Sequence, residues 1–142
     1  MREYIFHGKS KATEEWAEGY YVKAEKLDKS GYEYFIIEEG AEGASHLVYP
    51  ESIGQWTGLC DKKGRKIFEG DIISIMFETD GVDGFPGYSW YESAAVVFSE
   101  EKHAWIIVFD DGGEEMYLSE YDDVDDVYVI ATAFDNVDLL EE

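Results

Sequence analysis

Gly54-Gln-Trp-Thr-Gly-Leu-Cys-Asp-Lys-Lys-Gly-Arg-Lys-Ile-Phe-Glu-Gly-Asp-Ile-Ile-Ser-Ile75 reads as strand, turn, strand, turn, strand. Asp61-Lys62-Lys63-Gly64 has Asp at the first turn position and Gly at the fourth. That spacing suits a type I turn closed by a left-handed glycine, the three-residue hairpin loop with a bulge. Lys62 and Lys63 then form the hairpin tip, with Gly64 at positive φ. Glu69-Gly70-Asp71 is a second tight reversal, because Gly70 takes a positive φ at low cost. Ile72, Ile73, Ile75, Met76 and Phe77 follow as an apolar, β-branched run, the composition of a strand buried on most sides.

Outward from this stretch the same grammar of short runs and turns continues. Upstream, residues 3–7 read as a first strand, with Gly8-Lys-Ser-Lys11 as its exit. Residues 19–26, 32–37 and 46–49 read as further strands, separated by the turn Asp28-Lys-Ser-Gly31 and a small-residue loop at 38–44. Thr13 and Trp16 sit in a segment whose local signal fits a hairpin tip or a helical turn. Downstream, residues 78–87 hold three Gly and a Pro and read as the longest loop, without regular structure. Residues 94–98 and 105–109 read as paired apolar strands. A turn at 110–113 leads to a strand at 115–118, an acidic loop at 122–126 and a last strand at 127–132, and Asn136 caps a helical turn through Leu140. About nine short strands without a long helix predict an all-β barrel or sandwich. The chain of 142 residues suits one domain, with a sub-boundary near residue 50 that separates N-terminal strands (1–50) from a barrel (51–142).

The run Gly54-Gln-Trp-Thr-Gly-Leu59, Asp61, Gly64 and Ile67-Phe-Glu-Gly-Asp71 resembles the signature of YopX-like proteins, small proteins of bacteriophages and prophages. Met1-Arg2-Glu3, Phe6, Gly8-Lys9, Trp16, Gly19-Tyr20, Pro50-Glu51, Val129-Ile130 and Phe134-Asp135-Asn136 extend the resemblance over most of the chain. Ala131-Thr132 stands where that family shows Gly-Asn, and Val137 where it shows Pro. The resemblance implies a mostly β fold with an SH3-like barrel of short antiparallel strands, and a bacterial host. It assigns no activity and no catalytic residues.

Composition narrows the function classes. Aromatic residues make up 16% of the chain, ample bulk for a core and far from a disordered composition. The longest apolar runs are about five residues, short of the roughly twenty that span a bilayer, and residues 1–7 lack an apolar signal region, so a cytoplasmic location is expected. Cys60 is the single cysteine, which fits a reducing compartment. The formal net charge is −22, and it is unevenly placed. Residues 1–73 hold 10 Lys/Arg against 14 Asp/Glu, whereas residues 74–142 hold Lys102 against 19. Phosphate binding needs clustered cations, so direct nucleic-acid binding is not expected. The acidic half acts as a solubilising surface or as a face for a basic partner.

Candidate chemistry is sparse. His7, His46 and His103 are scattered and one cysteine cannot build a zinc site, so no metal and no cofactor are expected. The acidic loop at 122–126 lacks the glycine and closing Glu of an EF-hand. Cys60 has Lys62 and Lys63 nearby but no neighbouring His, which favours a bystander thiol. Glu69 and Asp71 flank Gly70 as a carboxylate pair, but they serve the turn more simply than acid–base catalysis. Phe85, Tyr88, Trp90 and Tyr91 crowd a Gly-rich loop and mark an interaction surface or the cover of a barrel end. The sequence therefore predicts a non-enzymatic protein-interaction module, with an unidentified protein partner and a homo-oligomeric state. The latter rests on reading 94–98 and 105–109 as unguarded strand edges and on the aromatics of the 78–91 loop, which a second copy would cover. The alternatives are an acidic nucleic-acid mimic that binds a basic protein and, more remotely, an enzyme using Glu69 and Asp71.

Overall fold

A computed structural model describes residues 4–40, 42–109, 115–121 and 127–136. The turn expected at 110–113, the acidic loop at 122–126 and the helical turn at 137–140 lie outside the described residues. The protein is mostly β, with two antiparallel sheets, and its described helices are single 3-10 turns at Pro50–Ser52 and Leu118–Tyr121. Eleven strands are described where about nine were expected, and three of them are only three residues long. The chain forms two compact units, Met1–Trp56 and Thr57–Glu142.

The first unit is built on β1 (Phe6–Lys9), β2 (Trp16–Glu25), β3 (Tyr32–Ile37), β4 (Ser45–Leu47) and the opening residues of β5 (Gly54–Cys60). β1 pairs with β2 through Phe6↔Gly19 to Lys9↔Trp16, and with β5 through Phe6↔Gln55. β2 pairs with β3, and β3 with β4. Ala17, Ile36 and Val48 form the core, with Phe6, Tyr34 and Ile53 packed around them. Gly8 and Lys9 belong to β1 rather than to its exit. The reason is packing: a Cβ on Gly8 would stand 3.1 Å from side-chain atoms of both Ile36 and Val48, so this glycine admits the core and does not mark a turn. Trp16 opens β2, which settles the ambiguous segment as a strand approach.

The second unit contains β6 (Lys66–Phe68), β7 (Asp71–Glu78), β8 (Ser89–Ser99), β9 (Ala104–Phe109), β10 (Glu115–Tyr117) and β11 (Val127–Thr132). Its sheet runs in the order β10-β9-β8-β7-β11. Period-two alternation sends Ile73 and Ile75 of β7, Ala94 and Val96 of β8, and Ile107 and Phe109 of β9 into one core. Ile67, Leu118 and Val127 complete it. The apolar runs 94–98 and 105–109 are not edges. β8 lies between β7 and β9, and β9 between β8 and β10: the two runs pair with each other throughout, with Ala94 and Ala95 also paired to β7 and Ile106 to Val108 also paired to β10. Their alternation was faint in the sequence because apolar side chains also stand on the outer face, where Val97 and Phe98 are exposed. The edges are β10, three residues long, and β11.

Candidate functional site

The turn at 61–65 does more than reverse the chain. Asp61 is only 7% exposed, and its Oδ1 accepts the amides of Lys63 and Arg65, both at 2.9 Å. The Gly64 amide donates to the Asp61 carbonyl at 2.9 Å, and Gly64 has a φ of 81°, which a side chain would strain. Oδ2 of Asp61 accepts the Val129 amide at 3.0 Å, far along the chain in β11. The Lys62 amide donates to the Val127 carbonyl at 3.0 Å, and Arg65 Nη1 to the Val129 carbonyl at 3.3 Å. The turn thus occupies the outward-facing backbone groups of β11, an edge that would otherwise offer itself to another strand. The sequence showed Asp61 as a turn residue, but its reach to β11 left no local signal.

The second reversal is also tied inward. Gly70, at a φ of 90°, donates its amide to the Val96 carbonyl at 2.8 Å, and its carbonyl accepts the Ala133 amide at 2.7 Å. Asp71 is 2% exposed, and its Oδ2 accepts the Phe68 amide at 2.8 Å. Burial outweighs that bond and the attraction of Arg65, and the Asp71 carboxyl is pushed up to about 7. Glu69 is partly exposed and Asp71 is interior, so the two carboxylates have different surroundings. Cys60 is a free, exposed thiol. Among the described residues no three His, Cys, Asp or Glu side chains group in a way that could hold a metal ion.

The loop aromatics are distributed by strand geometry. Phe77 pairs with Trp90 across β7 and β8, and their rings stack at 5.8 Å with an interplanar angle of 23°. Tyr88 lies against Trp90 at 5.6 Å, and Phe77 meets Phe109 of the core at 6.0 Å. A ladder of rings therefore runs from the core out to solvent. Trp90 Nε1 donates to Glu92 Oε2 at 3.2 Å, which fixes the indole on its strand. Tyr91 faces the opposite side of β8, across from Met76, and Phe85 stands on the loop itself. The rings are open to solvent: Phe85 is 72% exposed, Tyr88 68%, Tyr91 60% and Trp90 38%.

As expected, residues 79–88 form no strand or helix, but their backbone is held by its own hydrogen bonds. Val82 and Phe85 exchange two hydrogen bonds at 2.9 and 2.7 Å around Asp83-Gly84, with Gly84 at a φ of 80°. The Thr79 amide donates to the Tyr88 carbonyl at 2.9 Å. A Cβ on Gly87 would fall 2.1 Å from the Thr79 carbonyl oxygen. The glycines permit close backbone approach here, a use that composition does not distinguish from plain looseness. In the first unit, sequence reasoning missed a cleft of about 230 Å³ lined in part by Lys11, Lys26, Tyr32 and Tyr34. Lys23 Nζ sits 4.4 Å from the Tyr32 ring centre. The cross-strand register that joins these side chains carries no sequence motif.

The family described as YopX protein matches residues 5–141. The chain belongs to the YopX family. No curated protein matches it. Among solved structures it is similar to protein EF1440 from Enterococcus faecalis, at 19% identity and a TM-score of 0.49, with 99% of this chain and 100% of that chain covered. The YopX signature residues Asp61, Gly64, Gly70 and Asp71 are those whose bonds fasten the turns of the second unit. The exposed aromatic ladder lies apart from them in sequence, on the β7–β8 hairpin.

Proposed function

We propose that this YopX-family chain is a non-enzymatic protein-interaction module, encoded by a phage or prophage and acting in the cytoplasm of the bacterial host. The observation that carries the reading is the ordered, exposed ladder of Tyr88 and Trp90 on the β7–β8 hairpin, with Phe85 and Tyr91 beside it. Trp and Tyr supply large, rigid contact area at low entropic cost, and clustered exposed aromatics mark contact surfaces. The signature turns, in this reading, build the scaffold that holds the hairpin. We further propose that residues 51–142 are organised as an SH3-like barrel, a reading supported by the bonds that fasten the 61–65 turn along β11. Self-association remains part of the proposal. With 94–98 and 105–109 paired to each other, the exposed aromatic surface of the 78–91 segment is the route we favour.

The test is retention of host proteins by the immobilised chain. The expected result is a protein held by the wild type and lost by the Tyr88→Ser/Trp90→Ser double variant, with the variant's melting temperature within a few degrees of wild type. Equal retention by both overturns the reading.

A further inference from the structure

The ring ladder has a specific electrostatic setting. From Ile67 to Glu101 the chain has no Lys, Arg or His, and it carries Glu78, Asp80, Asp83 and Glu92 on or beside the hairpin. Glu78, Asp80 and Asp83 are exposed, and Glu92 is partly exposed on the same strand face as Trp90. The nearest cation along the chain, Lys102, is directed elsewhere, with Nζ 5.6 Å from the Tyr117 ring centre. The exposed rings are thus offered with acidic neighbours in the sequence and with no cation from their own segment.

We propose that the tip of the β7–β8 hairpin docks an arginine-bearing basic segment of another protein. The inference rests on the proposed interaction surface and names the chemistry that fits it. A guanidinium is planar and weakly hydrated, so it stacks on an aromatic face while its N–H groups reach carboxylates. Trp90 and Tyr88 supply the faces. Glu92, already bonded to the indole Nε1–H, retains acceptor capacity for a guanidinium edge. The loop carboxylates of Asp80 and Asp83 add attraction that steers encounter and discriminates against acidic partners. A lysine ammonium meets the same charge but cannot stack as a plane, so the site prefers arginine.

The experiment uses the full chain with three short peptides, alternating glycine with arginine, lysine or glutamate, at 50 mM salt. The Trp90 indole N–H resonance, assigned by its loss in Trp90→Phe, reports occupancy. The expected result is a shift saturating with the arginine peptide, at least fivefold tighter than with the lysine peptide and absent with the glutamate peptide. Glu92→Gln is expected to weaken arginine binding about threefold or more by the same resonance, and Trp90→Ala, which lacks it, about tenfold by titration calorimetry. Equal affinity for arginine and lysine, untouched by either variant, would be diffuse attraction to a chain of net charge −22 and overturns the inference. So does an indole resonance that moves with protein concentration and not with peptide, which assigns the surface to a second copy. No shift with any peptide also overturns it. The interaction reading would stand or fall separately, on retention by the double variant.

Discussion

Asp61 and Asp71 are both buried acids of the same motif, and they contribute in opposite senses. Asp61 answers three backbone amides, two in its own turn and one in β11. Asp61→Ala leaves those donors without their carboxylate and should cost roughly 2–4 kcal/mol, the scale of bonds to a charged acceptor. Thermal unfolding checks the loss, and faster hydrogen exchange at the Val129 amide checks its cause. Asp71 has one bonded amide and a deep site, and burial holds its carboxyl at about 7 against an ordinary 3.8. Folded, it keeps its proton up to about pH 7; unfolded, it loses that proton near its ordinary value. Between the two the folded state binds the extra proton, so stability falls as pH rises through this window and levels off above it. The slope is at most about 1.4 kcal/mol per pH unit. Melting temperature should therefore rise from pH 7.5 to pH 5, and Asp71→Asn, which keeps an acceptor for Phe68, should flatten that rise. An unchanged slope in Asp71→Asn would show that other acids cause it.

At the scale of elements, glycine is where sequence and structure part. Gly64 and Gly70 sit in turns whose residue order announces them, and both have positive φ. Gly64→Val should destabilise by about 1–3 kcal/mol through backbone strain, read as a lowered melting temperature. Gly8 lies in a strand and not at its exit, and Gly87 lies in the expected loop, but both serve close approach: Gly8 to Ile36 and Val48, Gly87 to the Thr79 carbonyl. That distinction depends on what lies across the pair, and a one-dimensional pattern does not hold it. Strand existence was legible, since β3 and β11 fall at the residues their apolar runs indicate. Sheet order was not, because the contacts that make β8 and β9 interior are set by pairing partners far along the chain. The aromatic residues were legible as a group. Their division into a tilted Tyr88–Trp90 pair, a far-face Tyr91 and a loop Phe85 came only with register. Gly87→Ala tests the loop directly. It should displace residues 79–88 and weaken partner retention severalfold, with a smaller loss of melting temperature than Gly64→Val, because the hairpin tip lies outside the core cluster.

At the scale of the whole molecule, charge and aromatic surface pull against each other. Residues 57–142 hold 22 acids against five Lys/Arg, so two copies meeting through this unit repel at long range. Burial of Tyr88, Trp90 and their neighbours acts only at contact. Salt separates the two, since the screening length falls from about 8 Å at 0.15 M to about 3 Å at 1 M. Self-association through the aromatic surface should then strengthen with salt. Docking of a basic partner on the same surface should weaken with it. Light scattering reads the first: the mass is expected to climb above the 16.2 kDa of one chain between 0.15 and 1 M salt, and to stay at one chain in Trp90→Ala. A mass of one chain at both salts removes self-association, whereas a multimer that Trp90→Ala leaves intact assigns it to another surface. β11 offers little alternative, because its outward backbone groups at Val127 and Val129 are already held by Lys62, Asp61 and Arg65. Asp61→Ala releases one of those groups, the Val129 amide. That variant alone should therefore gain a salt-insensitive association by strand pairing, which ties the signature turn to keeping the sheet edge closed.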